Sequence, residues 1–360
     1  MADATTTAAL DAQGRFQSRG AGVDSEYGAL ESGALLVDRS GRLRMQFSGE
    51  AAPTTITGLV TNDVASLAAG DGCYAAALTP KGKIAADLRI FLSKSGLLVD
   101  VPPRAAPGWR EIVRKYVNPR VTPYRDVSAA ISDCGIFGLG AAVIAGRALG
   151  VPHETLAALA PYAHVEITVD GELVVIARVP DGGVTGFEWF APFHIREVLW
   201  DRMVVNGATP GALSTFEVAR VEAGRPEWGL DMDDSTIPQE ANFDELGAIS
   251  YTKGCYTGQE TVARVHFRGH VNRHLRGLRF APDGRLPLLR ATLVDADGKE
   301  VGDVRSAVRS PRLGPIALGM VRREVAIGAP VTAHWNATED DESGEKRGTV
   351  VSLPFGAAPA

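Results

Sequence analysis

Of the side chains able to act as nucleophiles, Cys255 has the most suggestive neighbours, standing in Lys253-Gly254-Cys255-Tyr256-Thr257-Gly258-Gln259-Glu260. Thr257 and Glu260 have the spacing of a capping box, which predicts a helical run from Gly258 with Thr257 as N-cap. Cys255 would then lie just ahead of a helix N-terminus, where unpaired N–H groups and the helix dipole favour negative charge. Lys253 adds a cation, and both effects favour the thiolate, the form that attacks electrophiles or binds soft metals. Gly254 and Gly258 would let the backbone approach a ligand closely. The competing reading is a small buried hydrophobe, the commoner fate of a lone cysteine. Cys73 and Cys134 stand in apolar, strand-like stretches and are read in that second way.

Charge is the second signal. From residue 253 to 279, six Lys/Arg (Lys253, Arg264, Arg268, Arg273, Arg276, Arg279) meet one acid, Glu260, in a chain of formal charge −6. His266, His270 and His274 follow at intervals of four. Such a cation-rich face suits a polyanion, a phosphate or a polyglutamate tail. No aromatic platform pattern accompanies it, so nucleic acid is not assigned as a partner. Gly269 interrupts the histidine series and no carboxylate joins it. An exposed basic flank is therefore favoured, and no metal is assigned.

The elements that must position these groups mix helix and strand. A chain of 360 residues holds two or three packed lobes, and 45% hydrophobic with 22% charged residues is an ordinary globular composition. Three scattered cysteines without a C-x-x-C pair argue against a disulfide scaffold or zinc site and suit a reducing, cytoplasmic setting. No apolar run reaches the ~20 residues of a membrane span, so no membrane partner is expected. Residues 1–26 read as a disordered tail without a secretory core, with order beginning near Tyr27. Strands are predicted at 34–38, 43–47, 73–78, 84–92, 97–101, 131–139 and 249–251, and a hairpin at 165–179 about Asp170-Gly171. Helices are predicted at 53–60, 109–117 and 194–205, and from a Ser214/Glu217 capping box to about Gly224. Arg220 and Glu222 read as a structural ion pair. Beyond 273 only short strands follow, to about 356, with a solvated hairpin loop at 339–347.

Longer stretches carry a family resemblance. Gly247-Ala248-Ile249-Ser250-Tyr251-Thr252, the octapeptide, Val262-Ala263-Arg264 and Phe267-Arg268-Gly269 closely resemble the signature of the YgfZ family. Arg220-Val221-Glu222-Ala223-Gly224-Arg225-Pro226 and Ile237-Pro238-Gln239-Glu240-Ala241-Asn242 resemble its upstream segments. Gly58-Leu59-Val60-Thr61-Asn62-Asp63-Val64 is similar to an element shared with the aminomethyltransferase (T-protein) of the glycine cleavage system. Thr79-Pro80-Lys81-Gly82-Lys83-Ile84 with Asp87-Leu88-Arg89 resembles the adjoining strand, and the stretch from Gly302 to Gly319 resembles the T-protein barrel.

The resemblance implies a three-lobed, ring-like α+β fold with a C-terminal β-barrel. Two interleaved folate-binding lobes would occupy 27–272 and the barrel 273–356, with tetrahydrofolate or a one-carbon derivative in a central channel. Asp87 and Glu188 are the candidate pterin contacts, since a carboxylate accepts two hydrogen bonds from an aminopyrimidine edge. Asn62, Lys253, Tyr256 and Gln259 are added as folate contacts, although Asn62-Asp63 also suits a turn cap. Arg264 and Arg268 are assigned to the folate tail. T-proteins carry paired aspartates where this chain has Ala86-Asp87, and Gly183-Val184-Thr185-Gly186-Phe187-Glu188 matches their Gly-Tyr-Thr-Gly-Glu-Asp-Gly segment only in part. They also lack the cysteine octapeptide.

These departures favour the YgfZ branch, whose members are implicated in iron–sulfur cluster assembly or repair and, through the clusters, in tRNA modification. Folate and iron–sulfur proteins or their assembly factors are then the partners, and Cys255 the reactive group. One cysteine cannot hold a cluster alone. The alternative is a folate-dependent aminomethyl or methyl transferase, and a third reading is a scaffold that has lost its ligand.

Overall fold

Two open sheets and a closed barrel account for the strands. The computed structural model describes residues 23–337 and 342–356. In chain order these form α1 (Val23–Ser32), β1 (Leu35–Asp38), β2 (Leu43–Phe47), α2 (Ala52–Thr57), β3 (Gly72–Leu78), β4 (Ile84–Ser93), β5 (Gly96–Val101) and α3 (Ala106–Tyr116). Then come β6 (Tyr124–Asp126), β7 (Ile131–Phe137), α4 (Ala141–Leu149), α5 (His153–Ala157), β8 (His164–Val169), β9 (Glu172–Arg178) and β10 (Gly186–Pro192). The helical segment α6 (Arg196–Val205), the short β11 (Thr209–Pro210), α7 (Leu213–Glu222) and α8 (Gln259–Arg268) precede the barrel. Its strands are β12 (Arg273–Phe280), β13 (Thr292–Val294), β14 (Glu300–Ser310), β15 (Gly314–Arg322), β16 (Pro330–Trp335) and β17 (Gly344–Val351).

The first sheet runs β3-β4-β5-β2-β6, the second β11-β1-β7-β10-β9-β8, and the barrel closes in the order β12-β15-β14-β13-β16-β17. The fold is therefore mixed α+β with a C-terminal β-barrel. Among the described residues no helix is long and apolar enough to cross a membrane.

Strand alternation decides what each sheet buries. On β4, Ala86, Leu88 and Ile90 enter an apolar core with Val99, Val101 and Trp109, beneath α2 and α3. The residues between them, Asp87 and Arg89, are also buried, on the opposite face. On β10, Phe187, Trp189 and Ala191 pack against α4 and α6, while Phe190 joins Tyr74, Phe91 and Tyr162 in a second cluster made by both sheets. The two sheets thus meet face to face, part apolar and part ionic.

Several local expectations fail for physical reasons. Ser214 does not cap α7; the N-cap is Ala212. The cap is long-range instead, because Glu26 Oε2 accepts from the Ala212 N–H at 2.9 Å and from Thr215 Oγ1 at 2.5 Å. Helix α1, which supplies Glu26, begins four residues before Tyr27, and the rest of the predicted tail, 1–22, lies outside the described residues. Residues 249–251 form no strand. Of the predicted loop at 339–347, Gly344 onward is strand β17 and Lys346 is buried; 339–341 lie outside the described residues. Arg220 and Glu222 do not pair, since neighbours two apart on a helix point in different directions. Arg220 binds Glu217 at 2.6 Å and Asp231 at 2.7 Å, whereas Glu222 receives Tyr27 at 2.8 Å and Arg312 at 2.9 Å.

The barrel docks through a bulge. Between Val304 and Ala307 the β14 register slips by one residue against β15. There the Ser306 N–H donates to Asp231 Oδ1 at 3.1 Å, its hydroxyl accepts from Arg220 Nη2 at 2.8 Å, and Arg305 pairs with Asp233 at 3.2 Å.

Candidate functional site

Asp87 lies on the inter-sheet face of β4, opposite Ala76 on β3. Its Oδ2 accepts from the Tyr74 hydroxyl at 2.9 Å, while Oδ1 is buried without a partner. Only 4% of the residue is exposed. Burial, with the charge of Glu227 adding to it, pushes this carboxyl up to about 7, so at neutral pH it can both donate and accept a proton. Around it stands an aromatic wall. The Tyr74 ring lies 6.2 Å from Tyr162, nearly parallel, and 5.2 Å from Phe243. Trp228 closes the edge by donating from Nε1 to the Ile84 carbonyl at 3.0 Å. Arg225, on the segment after α7, places its guanidinium carbon 5.4 Å from the Tyr74 ring centroid. It also bonds the Tyr162 hydroxyl and pairs with Asp181 at 3.3 Å.

Beyond Arg225 the inter-sheet space turns ionic. Glu188 is fully buried against Arg39 at 2.9 Å and Arg89 at 2.7 Å. Asp100 receives Arg42 at 2.6 Å and Arg89 at 2.5 Å. Asp181 joins Arg89 at 3.1 Å, and Asp133 stands 3.5 Å from Arg89 and 4.0 Å from Arg44. Buried charges persist only when paired in this way. Burial alone would raise Glu188 and Asp100, but the arginines outweigh it and hold both below the usual carboxylate range. Asp133 goes the other way, pushed well up by burial and by Glu188 and Asp100.

The octapeptide forms a second grouping, strapped onto the first sheet. The Ser250 N–H donates to the Thr61 carbonyl at 3.0 Å, and the Thr257 N–H to that of Gly58 at 3.2 Å. Gly258 has φ +82° and sits so close that an added Cβ would lie 2.5 Å from the Thr79 carbonyl oxygen. That contact explains why glycine, and not Thr257, is the N-cap of α8, and why the expected capping box is not made. Gln259 Oε1 accepts the Tyr256 N–H at 3.1 Å instead. Lys253 donates to the Thr57 carbonyl at 2.5 Å and lies 4.3 Å from the Tyr256 ring centroid; burial lowers its ammonium to about 8.

Asn62 bridges the carbonyls of Tyr74 and Gly247 at 3.0 and 2.9 Å, and so ties the strap to the wall beside Asp87. Cys255 is exposed, whereas Cys73 and Cys134 are buried. Arg264 and Arg268 lie exposed on α8, His270 falls past its end, and His274 is on β12.

The structure thus brings Asp87 and Asn62 to one wall, sets Glu188 deep in the ionic cluster, and places Cys255, Arg264 and Arg268 on the outside. Sequence reasoning missed Tyr74, Tyr162, Phe243 and Arg225. Arg225 lay inside a quoted motif, and Tyr74 follows from pairing β3 with β4 so that Tyr74, Ala76 and Asp87 share a face.

Comparison with known proteins adds two matches to family models, the GCVT N-terminal domain over residues 5–249 and the glycine cleavage T-protein C-terminal barrel domain over residues 273–355. An aminomethyltransferase of Nostoc sp. strain PCC 7120 is 28% identical over 86% of this chain and 83% of its own. One from Rubrobacter xylanophilus is 29% identical over 86% and 82%. The crystal structure of the glycine cleavage system aminomethyltransferase T from Bartonella henselae superposes with a TM-score of 0.80 at 22% identity, covering 95% of this chain and 92% of that one.

Proposed function

Since the chain belongs to the glycine cleavage T-protein family, we propose that it is a tetrahydrofolate-dependent one-carbon transferase in which Asp87 manages the proton at the reacting amine. The observation that carries this reading is the buried Asp87 carboxyl, brought to about 7 and left with one partnerless oxygen beside an aromatic wall. Those residues fit a pterin: Asp87 offers an unused acceptor, and Tyr74 and Tyr162 bring flat rings beside it, with the buried Phe243 packed behind them. Bound tetrahydrofolate would supply the amine that carries the one-carbon unit. Asp87 then takes or returns a proton at that amine, the Tyr74 hydroxyl fixes its orientation, and the wall keeps water away. The names of the relatives support transfer as the reaction class.

The missing aspartate does not oppose this reading. Ala86 faces the apolar core under α2 and α3, on the side of β4 away from Tyr74. A second carboxylate at that position would not reach the wall.

The second reading is the YgfZ-branch accessory role in iron–sulfur assembly or repair, and the exposed Cys255 thiol is what favours it. One experiment weighs the two: tetrahydrofolate titration, then single-carbon transfer from candidate amines, with Asp87→Asn and Cys255→Ser. Transfer lost in Asp87→Asn and kept in Cys255→Ser is the expected outcome. Loss in Cys255→Ser alone would move the reaction to the thiol. No tetrahydrofolate binding at millimolar concentration would leave only a scaffold.

A further inference from the structure

Asp87 and Arg225 address opposite charges from the two ends of one side chain. The Tyr74 hydroxyl bonds Asp87, while the Tyr74 ring lies under the Arg225 guanidinium. Arg225 uses Nη2 for both of its polar contacts, the Tyr162 hydroxyl and Asp181. A guanidinium carries five N–H donors, and those on Nε and Nη1 have no partner among the described residues. Solvent reaches this end of the inter-sheet space. Arg225 and Asp181 keep 13% and 16% side-chain exposure, against 0% for Glu188 and Asp100 in the depth of the cluster.

The charge count points the same way. Five arginines (Arg39, Arg42, Arg44, Arg89, Arg225) share four acids, and Asp181 alone serves three of them. A further acid, Glu227, is paired with Arg104 at 3.5 Å. At the open end Arg225 thus leans on an acid that two other arginines already share, next to a carboxyl with an unused oxygen.

We infer that Arg225 is the carboxylate anchor of a second subsite, so that the one-carbon donor or acceptor is a small free α-amino acid held between Arg225 and Asp87. Arg225 takes the α-carboxylate through Nε and Nη1 in the fork geometry that guanidinium and carboxylate share. The amine bearing the one-carbon unit then falls toward the Asp87 carboxyl, beside the folate amine with which the unit is exchanged. The span of one tyrosine limits the distance between the two charges, which selects a short zwitterion. This inference rests on the transferase reading for what is transferred, but the anchor itself can be tested without turnover.

The full chain is titrated calorimetrically with tetrahydrofolate, and then with N-methylglycine and N,N-dimethylglycine against their carboxamides. The acids are expected to bind about tenfold or more tighter than the amides, the loss typical of removing a charged hydrogen-bond partner. Arg225→Gln should bring acid and amide together, read as the acid-to-amide ratio in the presence of saturating tetrahydrofolate so that a change passed to Tyr74 and Tyr162 cancels. Arg225→Lys, which keeps the charge, should retain part of the preference. Equal binding of acid and amide by the wild type overturns the inference. So does an acid preference that Arg225→Gln leaves unchanged, which would place the anchor elsewhere. Acid preference without any tetrahydrofolate binding would remove the transferase reading and leave the anchor standing.

Discussion

Asp87→Asn separates what this carboxyl does in chemistry from what it costs the fold. An aspartate ordinarily titrates at 3.8, and burial with the added charge of Glu227 carries Asp87 up to about 7. The folded state therefore keeps a proton that the unfolded chain releases once the pH passes 3.8. The stability this contributes is fully present below that pH, declines as the pH rises to about 7, and stays lost above it. About three units at 1.36 kcal/mol each make a total of about 4 kcal/mol, of which about 3 kcal/mol falls between roughly pH 5 and pH 7. Asparagine is neutral throughout, and its carbonyl can still accept from Tyr74.

Urea unfolding followed by tryptophan fluorescence should therefore show Asp87→Asn gaining about 3 kcal/mol on the wild type between roughly pH 5 and pH 8.5. Transfer should fall in the same variant by about 10²-fold or more. Parallel stability curves for the two proteins over that range would refute the reasoning, because they would mean that Asp87 titrates as an ordinary carboxylate.

Three other outcomes follow from the geometry. Ala86→Asp, which restores the aspartate pair, should not raise transfer and should lower stability by about 3 kcal/mol, since it sets a carboxyl in an apolar core; denaturant midpoints and initial rates check both parts. Glu26→Ala removes the long-range cap of α7 and should cost about 1–2 kcal/mol in the same unfolding assay. A thiol reagent should label one cysteine per native chain quickly and three in urea, and Cys255→Ser should abolish the fast class; fast labelling that survives in Cys255→Ser would contradict the burial of Cys73 and Cys134.

Much of the fold was legible where the signal is local. Short apolar runs bounded by turn residues gave β3, β4 and β5, and Asp170-Gly171 turned β8 into β9 at the expected place. The switch to short strands after Arg273 marked the barrel. What failed depended on partners distant in sequence. Ser214/Glu217 has a correct capping spacing, yet Glu26, 186 residues away, does the capping. Thr257/Glu260 fails in the same way because the close approach of Thr79 makes Gly258 the N-cap. The weight placed on Ala86 was a matter of faces: sequence gives the pair of positions, and only the strand's pairing shows that one of them looks into a core. Asp87 was read as a contact from motif alone; Tyr74 follows from the β3–β4 pairing, but Tyr162 and Arg225, which flank Tyr74, come from segments that reach it only when the sheets face each other.

The bulge in β14 makes the barrel's attachment a question of residue count. One extra residue between Val304 and Ala307 turns Arg305 and Ser306 out of the ladder and toward Asp233 and Asp231. A substitution there would remove one contact. Removing one residue would instead mend the ladder with Val304 and Ala307 still on the barrel's inner face, and would leave one residue where two now reach out to Asp231 and Asp233. This stretch should therefore accept changes of residue type across related chains far more readily than changes of length.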